Sequence, residues 1–128
     1  MPGLEYSPLV ESHFTHPVGA GSWPAGQGEI AAGEAGHEAE GVRVRFELSV
    51  RDGAVTEVRF QAFGCPHTIA AASWLAEHLK GRPLDRAIPV PILELARILE
   101  APTEKRGRLL VVEDALHAAL AQAQQRQV

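Results

Sequence analysis

The feature that most constrains the fold is a run in which large apolar residues occupy every second position. The run contains Val42, Val44, Phe46, Leu48 and Val50. This period of two is typical of a β-strand with one buried face. Asp52-Gly53 then gives a tight-turn signal before a second run, residues 54–63. We therefore predict an antiparallel hairpin formed by strands 42–50 and 54–63.

The hairpin leads directly into the single cysteine of the chain, Cys65, where the apolar period changes. Beyond it, apolar residues lie three or four apart, which predicts a helix from Pro66 to Lys80 that ends at Gly81. Cys65 is then expected at a helix N-terminus, where free N–H groups can lower a thiol pKa below its usual value of about 8.5. Lone cysteines are also found as small buried apolar residues. The spacing alone leaves both interpretations open.

Three further helices are predicted from helical spacing and capping signals. The first spans Tyr6 to His16, with Ser7 as its cap, Pro8 in its first turn and an apolar stripe of Leu9, Val10 and Phe14. His13 and His16 are interpreted as surface residues of this helix. The second covers Ile92 to Leu99, and the third begins at about Leu109.

These elements predict one α+β domain over residues 1–128, with an antiparallel sheet packed against helices. The hairpin is its centre, and a third strand could extend it. Residues 17–41 contain many glycines and few large apolar side chains, so we expect a flexible loop there. The glutamine-rich end, residues 122–128, is expected to fray.

Composition excludes several function classes. The 128 residues carry a formal net charge of -4 and no Lys/Arg run, which argues against a general nucleic-acid binder. One cysteine excludes an internal disulfide and any site that needs several thiolates from one chain. No signal peptide or membrane-length apolar run is visible, so we expect a cytoplasmic protein without a membrane partner.

Four segments together resemble the NifU/IscU family of iron–sulfur cluster assembly scaffolds. They occur in the order and spacing of that family, and they are YSPLVESHFTHPVGAGSW (6–23), VTEVRFQAFGCPHTIAAAS (55–73), GRPLDRA (81–87) and VVEDALHAAL (111–120). The resemblance implies a two-layer SufE/NifU-like fold. It also implies a scaffold or carrier in iron–sulfur cluster assembly rather than an enzyme, with a cysteine desulfurase as partner.

The resemblance also implies where the chemistry lies, although the chain departs from the family at the ligands. The family holds zinc, iron or a nascent [2Fe–2S] cluster with three cysteines and an aspartate, and only Cys65 has a match. The resemblance gives a candidate metal set of Cys65, His37, Glu38, Glu40 and His67, for an iron–sulfur cluster, iron or zinc. Arg108 stands at the third cysteine, before the last helix, where its charge would favour a thiolate or persulfide on Cys65.

The family's chaperone-recognition segment is reduced here to residues 101–105, in which only Pro102 and Lys105 match. Three functions follow from these resemblances. The first is a divergent scaffold that binds iron, zinc or sulfur at a single-cysteine pocket. The second is a SufE-like acceptor that takes sulfur from a cysteine desulfurase as a persulfide, and the third is a non-catalytic binding module of the assembly machinery. The sequence leaves the oligomeric state and the partner protein open.

Overall fold

The computed structural model describes residues 6–24 and 30–126, which form an α+β fold with a three-stranded antiparallel sheet in the order β1-β2-β3. The strands are β1 (Ile30–His37), β2 (Val42–Arg51) and β3 (Ala54–Phe63). The helices are α1 (Pro8–Thr15), α2 (Pro66–Leu79), α3 (Ile92–Ile98) and α4 (Arg106–Arg126). The predicted fold class is confirmed, including the third strand. Within these ranges, no helix is both long and apolar enough to cross a membrane.

The hairpin predicted from alternation is present as β2 and β3. Phe46 pairs with Phe60 in its register, and Asp52 and Gly53 turn the chain with φ values of 54° and 75°. Two consecutive positive φ values are the geometry that the Asp-Gly signal predicts for a two-residue hairpin turn. The alternating side chains of β2 are buried against a layer of helices: Val42, Val44, Phe46, Leu48 and Val50.

Two helices pack directly on the sheet, and a third packs on one of them. Helix α4 packs against β1 and β2, α2 packs against β3, and α1 packs against α2. Helix α1 begins as predicted, because Ser7 accepts a hydrogen bond from the Val10 N–H at 3.2 Å and Pro8 occupies the first turn. Helices α2 and α3 also lie where the spacing predicts them. The Cys65 turn therefore joins β3 to the helix that packs on it.

The prediction of a flexible loop over residues 17–41 is wrong for its second half. Residues 30–37 form strand β1, and Glu38–Glu40 form one turn of 3₁₀ helix. Gly33 is required here by packing, because a Cβ at this position would lie 2.6 Å from the Ala118 carbonyl carbon and 2.7 Å from the Ala115 oxygen of α4. Residues 25–29 of the predicted loop lie outside the described residues.

Helix α4 differs from its prediction at both ends. It begins at Arg106, three residues before Leu109, and it continues to Arg126 instead of fraying from residue 122. Gln122 is held in place, since its Oε1 accepts a hydrogen bond from the Ala32 N–H of β1 at 2.8 Å. Residues 127 and 128 of the predicted tail lie outside the described residues.

The burial of two side chains of α1 is the opposite of what the sequence predicts. His13 is buried, with Nδ1 2.7 Å from Ser73 Oγ and Nε2 3.5 Å from Glu77 Oε1 of α2. Phe14, predicted in the apolar stripe, is 45% exposed. His16 is exposed, as the sequence predicts. The face of α1 that meets α2 is therefore partly polar.

Candidate functional site

Three segments that carry the predicted site residues meet at one end of the sheet. These are the turn between β1 and β2 (38–41), the end of β3 with its following turn (63–65), and the first turn of α4. Arg43 pairs with Phe63 in the sheet register, which places the first two segments side by side. Arg108 Nη1 donates a hydrogen bond to the Gly41 carbonyl at 2.6 Å, which ties the third segment to the first.

Cys65 is the N-cap residue of α2, where the chain leaves β3 in an extended conformation with φ −81° and ψ 171°. Its thiol is partly buried, and Sγ lies 3.7 Å from Thr68 Oγ1. Burial alone would raise the pKa of this thiol. The Thr68 N–H and hydroxyl, the His67 N–H and the charge of Lys105 outweigh burial and lower the pKa. The site therefore favours a thiolate.

His67 lies in the first turn of α2 and is buried, with 3% of the residue exposed. Neither ring nitrogen has a hydrogen-bond partner among the described residues. The Tyr6 ring packs against the imidazole with 5.0 Å between ring centroids. Burial, followed by the charge of Lys105, lowers the pKa of His67, so the ring is neutral near pH 7.

The metal set predicted from the resemblance is not brought together. His37, Glu38 and Glu40 are exposed, and Glu38 lies 3.6 Å from Arg43 in an ion pair. Across residues 6–24 and 30–126, no three His, Cys, Asp or Glu side chains are grouped so that they could hold a metal ion.

Arg108 lies inside the first turn of α4 rather than before the helix, and its bond to Gly41 gives it a structural role. The nearby charge that lowers the Cys65 pKa belongs to Lys105, a residue of the segment that resembles the chaperone-recognition motif. Thr68 was missed as well. Its position three residues after the N-cap is the spacing at which a side chain reaches back toward the cap, and that signal could have found it.

The donor set of one chain does not fit a complete iron–sulfur cluster. Such clusters are held chiefly by thiolates, and the chain contains one cysteine. Arg108, which the resemblance sets at the family's third cysteine, has a guanidinium that cannot donate an electron pair to a metal. Cys65 can therefore bind sulfur or one coordination position of a metal, and a cluster would need donors from outside this chain.

Comparison with known proteins places the chain in a family. The model of the NifU-like N terminal domain matches residues 5–128. The chain is 32% identical over 119 residues to the iron-sulfur cluster assembly scaffold protein IscU of Escherichia coli K12, covering 92% of this chain and 93% of that protein. It is also 32% identical over 117 residues to iron sulfur cluster assembly protein 2, mitochondrial, of Saccharomyces cerevisiae, covering 90% of this chain and 75% of that protein.

Two crystal structures share the fold. One is a candidate iron–sulfur cluster assembly scaffold protein for the SUF system, FiSufU, from Fervidobacterium islandicum AW-1. It has a TM-score of 0.67 and 15% identity, and covers 94% of this chain and 99% of that chain. The other is the N-terminal part of a nitrogen-fixing NifU-like protein from Brucella abortus, with a TM-score of 0.64, 18% identity and 94% of each chain covered. The chain belongs to the family of NifU-like N-terminal domains.

Proposed function

We propose that this chain is a divergent iron–sulfur cluster assembly scaffold-like protein that binds iron or sulfur through Cys65. The observation that carries the proposal is the 32% identity to a named scaffold over 119 residues. The geometry of the Cys65 turn supports it, because the thiol pKa is lowered at a partly buried N-cap position. A thiolate is the form of cysteine that ligates iron and attacks sulfur donors.

The proposed role is that of a carrier, and the cluster is its cargo. The thiolate of Cys65 contributes one ligand or receives one sulfur atom, while Lys105 and the N–H groups of His67 and Thr68 stabilise its negative charge. Since one thiolate cannot complete a cluster, we propose that the remaining donors come from a second copy of this chain or from a partner protein. A cysteine desulfurase is the proposed sulfur source.

The Escherichia coli relative is named a scaffold protein and the Saccharomyces cerevisiae relative an iron sulfur cluster assembly protein, and these names favour the scaffold over a SufE-like persulfide acceptor. Binding of the family's chaperone is not part of the proposal, because the matching segment retains only Pro102 and Lys105. The cytoplasmic location expected from the sequence stays a prediction.

Anaerobic reconstitution tests the proposal. The wild-type chain is incubated with iron, cysteine and a cysteine desulfurase, and visible absorption and bound iron are measured beside Cys65→Ser. The scaffold role predicts a coloured protein whose iron is lost in Cys65→Ser and retained in Ser12→Ala, a control at an exposed position of α1. Colourless wild-type protein with no bound iron would contradict the scaffold role, and one added sulfur atom on Cys65 without iron would identify a persulfide acceptor.

A further inference from the structure

The first part of the described chain forms an arm that lies against the rest of the fold. The arm consists of residues 6–24, which contain α1 and the extended segment that follows it. Within this range, Val10 is the one large apolar side chain that is fully buried, while Phe14 and Val18 are 45% and 37% exposed. Because burial of apolar surface is the main force that joins parts of a fold, this arm is held less firmly than the sheet and α4.

Polar contacts attach the arm to α2. His13 Nδ1 lies 2.7 Å from Ser73 Oγ, and the same oxygen accepts a hydrogen bond from the Val18 N–H at 2.8 Å. One hydroxyl of α2 therefore binds both α1 and the extended segment. At the start of the arm, the Tyr6 ring packs against the buried imidazole of His67, with 5.0 Å between ring centroids.

The extended segment then pairs with the outer edge of β3. The Gly21 N–H donates a hydrogen bond to the Phe60 carbonyl, and the Phe60 N–H donates one to the Gly19 carbonyl, both at 2.8 Å. These two bonds form a short parallel pairing around Ala20. The arm therefore covers backbone groups of β3 that a sheet edge otherwise leaves unpaired.

Glu47 of β2 holds the last residues of the arm. Its neighbours in the strand are buried against the helices, so its side chain lies on the opposite face of the sheet. Its carboxylate accepts hydrogen bonds from the Ser22 hydroxyl and the Trp23 N–H, both at 2.9 Å. Burial alone would raise the pKa of Glu47, but the Trp23 N–H, the Ser22 hydroxyl and Arg45 outweigh burial and lower it. The carboxylate is therefore charged near pH 7.

We propose that residues 6–24 open from the fold as one unit and that Glu47 is the latch that keeps this arm closed. Proteins open locally in such cooperative units, at a lower free energy than global unfolding requires. Opening removes Tyr6 from His67, whose two ring nitrogens have no hydrogen-bond partner among the described residues. The inference goes beyond the proposed function, because it requires no ligand at Cys65.

Chemical modification of His67 tests the proposal, because Glu47 faces away from the helix layer that contains His67. The full chain is treated at pH 7 with diethyl pyrocarbonate, which modifies neutral imidazoles, and each histidine is followed by mass spectrometry of its peptide. Hydrogen exchange of the Phe60 N–H is measured by NMR on the same proteins. Both rates follow the population of the open arm when closing is fast.

Variants that weaken the latch should open the arm more often. One intramolecular hydrogen bond corresponds to about a fivefold change in such an equilibrium. Ser22→Ala should therefore raise the modification rate of His67 and the exchange rate of the Phe60 N–H about fivefold. Glu47→Ala loses two bonds to the arm and should raise both rates roughly twentyfold. Ser22 is exposed, so its variant carries the test if Glu47→Ala does not fold.

Three controls separate arm opening from a general loss of stability. Modification of the exposed His117 should stay the same in every variant. Exchange of the Ala32 N–H should also stay the same, because this group bonds to Gln122 in the rest of the fold. Glu57→Ala removes a carboxylate that pairs with Lys80 on the neighbouring strand, and it should leave the modification rate of His67 unchanged.

Each of three results would refute the proposal. Faster exchange at Phe60 with an unchanged modification rate of His67 would show that the extended segment loosens without α1, so the arm is not one unit. Equal increases at His67 and at the Ala32 N–H would show that the whole fold opens. Unchanged rates at Phe60 and His67 in both Ser22→Ala and Glu47→Ala would show that Glu47 is not the latch.

Discussion

Replacing Gly33 with alanine tests the packing that holds β1 in the sheet. A Cβ at this position would overlap the Ala119 nitrogen of α4 and lie 2.6 Å from the Ala118 carbonyl carbon. The three nearest atoms all belong to the helix backbone, so the overlap cannot be relieved by rotating a side chain. Helix α4 must therefore move away from β1 and β2, against which it packs.

The structure gives a magnitude for this change. Overpacking against a rigid backbone costs about 3 kcal/mol, and the loss of chain entropy in the unfolded alanine variant offsets about 0.4–1 kcal/mol. The net destabilisation is about 2 kcal/mol, which lowers the melting temperature of a domain of this size by roughly 8 °C. Thermal unfolding followed by circular dichroism measures it.

Gly107→Ala is the matched control, because an added Cβ in this first turn of α4 has no atom within 4 Å. Alanine is the better helix former, so this variant should gain up to about 1 kcal/mol and melt a few degrees higher. An unchanged melting temperature in Gly33→Ala would mean that α4 does not lie this close to β1, and the account of β1 would be refuted.

Three further predictions follow from the site and its surroundings. Alkylation of Cys65 should reach its half-maximal rate at a lower pH in the folded protein than in the denaturant-unfolded chain, because the folded site lowers the thiol pKa, and equal midpoints in the two states would contradict the site. Burial lowers the pKa of His13, so the neutral ring stabilises the fold above its unfolded pKa of about 6.5. The melting temperature should therefore fall as the pH drops below that value, and it should fall less in His13→Gln than in wild type. An equal fall in both proteins would refute this. Arg108→Ala loses the charged hydrogen bond to Gly41, so thermal unfolding should show that it is less stable than wild type by about 1.5 kcal/mol. The control Arg106→Ala, at an exposed position, should stay within about 0.5 kcal/mol of wild type. Equal melting temperatures for the two variants would contradict a structural role for Arg108.

Much of the fold could be predicted because its signals are local. The alternation of β2, the Asp52-Gly53 turn and the change of period at Cys65 each lie within a few neighbouring residues. Strand β1 could not be predicted in this way, because its glycines are typical of a flexible loop. Gly33 is instead a packing requirement set by α4, whose contacting residues lie more than eighty positions along the chain.

In the candidate site, too, features set by neighbouring residues could be predicted, and features set by residues far along the chain could not. The sequence identified Cys65 from the spacing around it, and the resemblance added a family role. It could not show that His67 is buried, because Tyr6 comes from the far end of the chain. It also could not show that Arg108 binds Gly41, a contact between residues 67 positions apart. His13 was taken for a surface residue because its partner, Ser73, lies 60 positions away.

The central claim is that Cys65 is the working group of a scaffold-like protein whose single chain cannot complete a cluster. Native mass spectrometry of the anaerobically reconstituted protein tests it most directly, since it reports iron and sulfide on each assembly. We predict that every cluster is found on assemblies of two copies of this chain or of this chain with a partner, and that Cys65→Ser abolishes them. A cluster on the monomeric chain, or one that persists in Cys65→Ser, would contradict the claim.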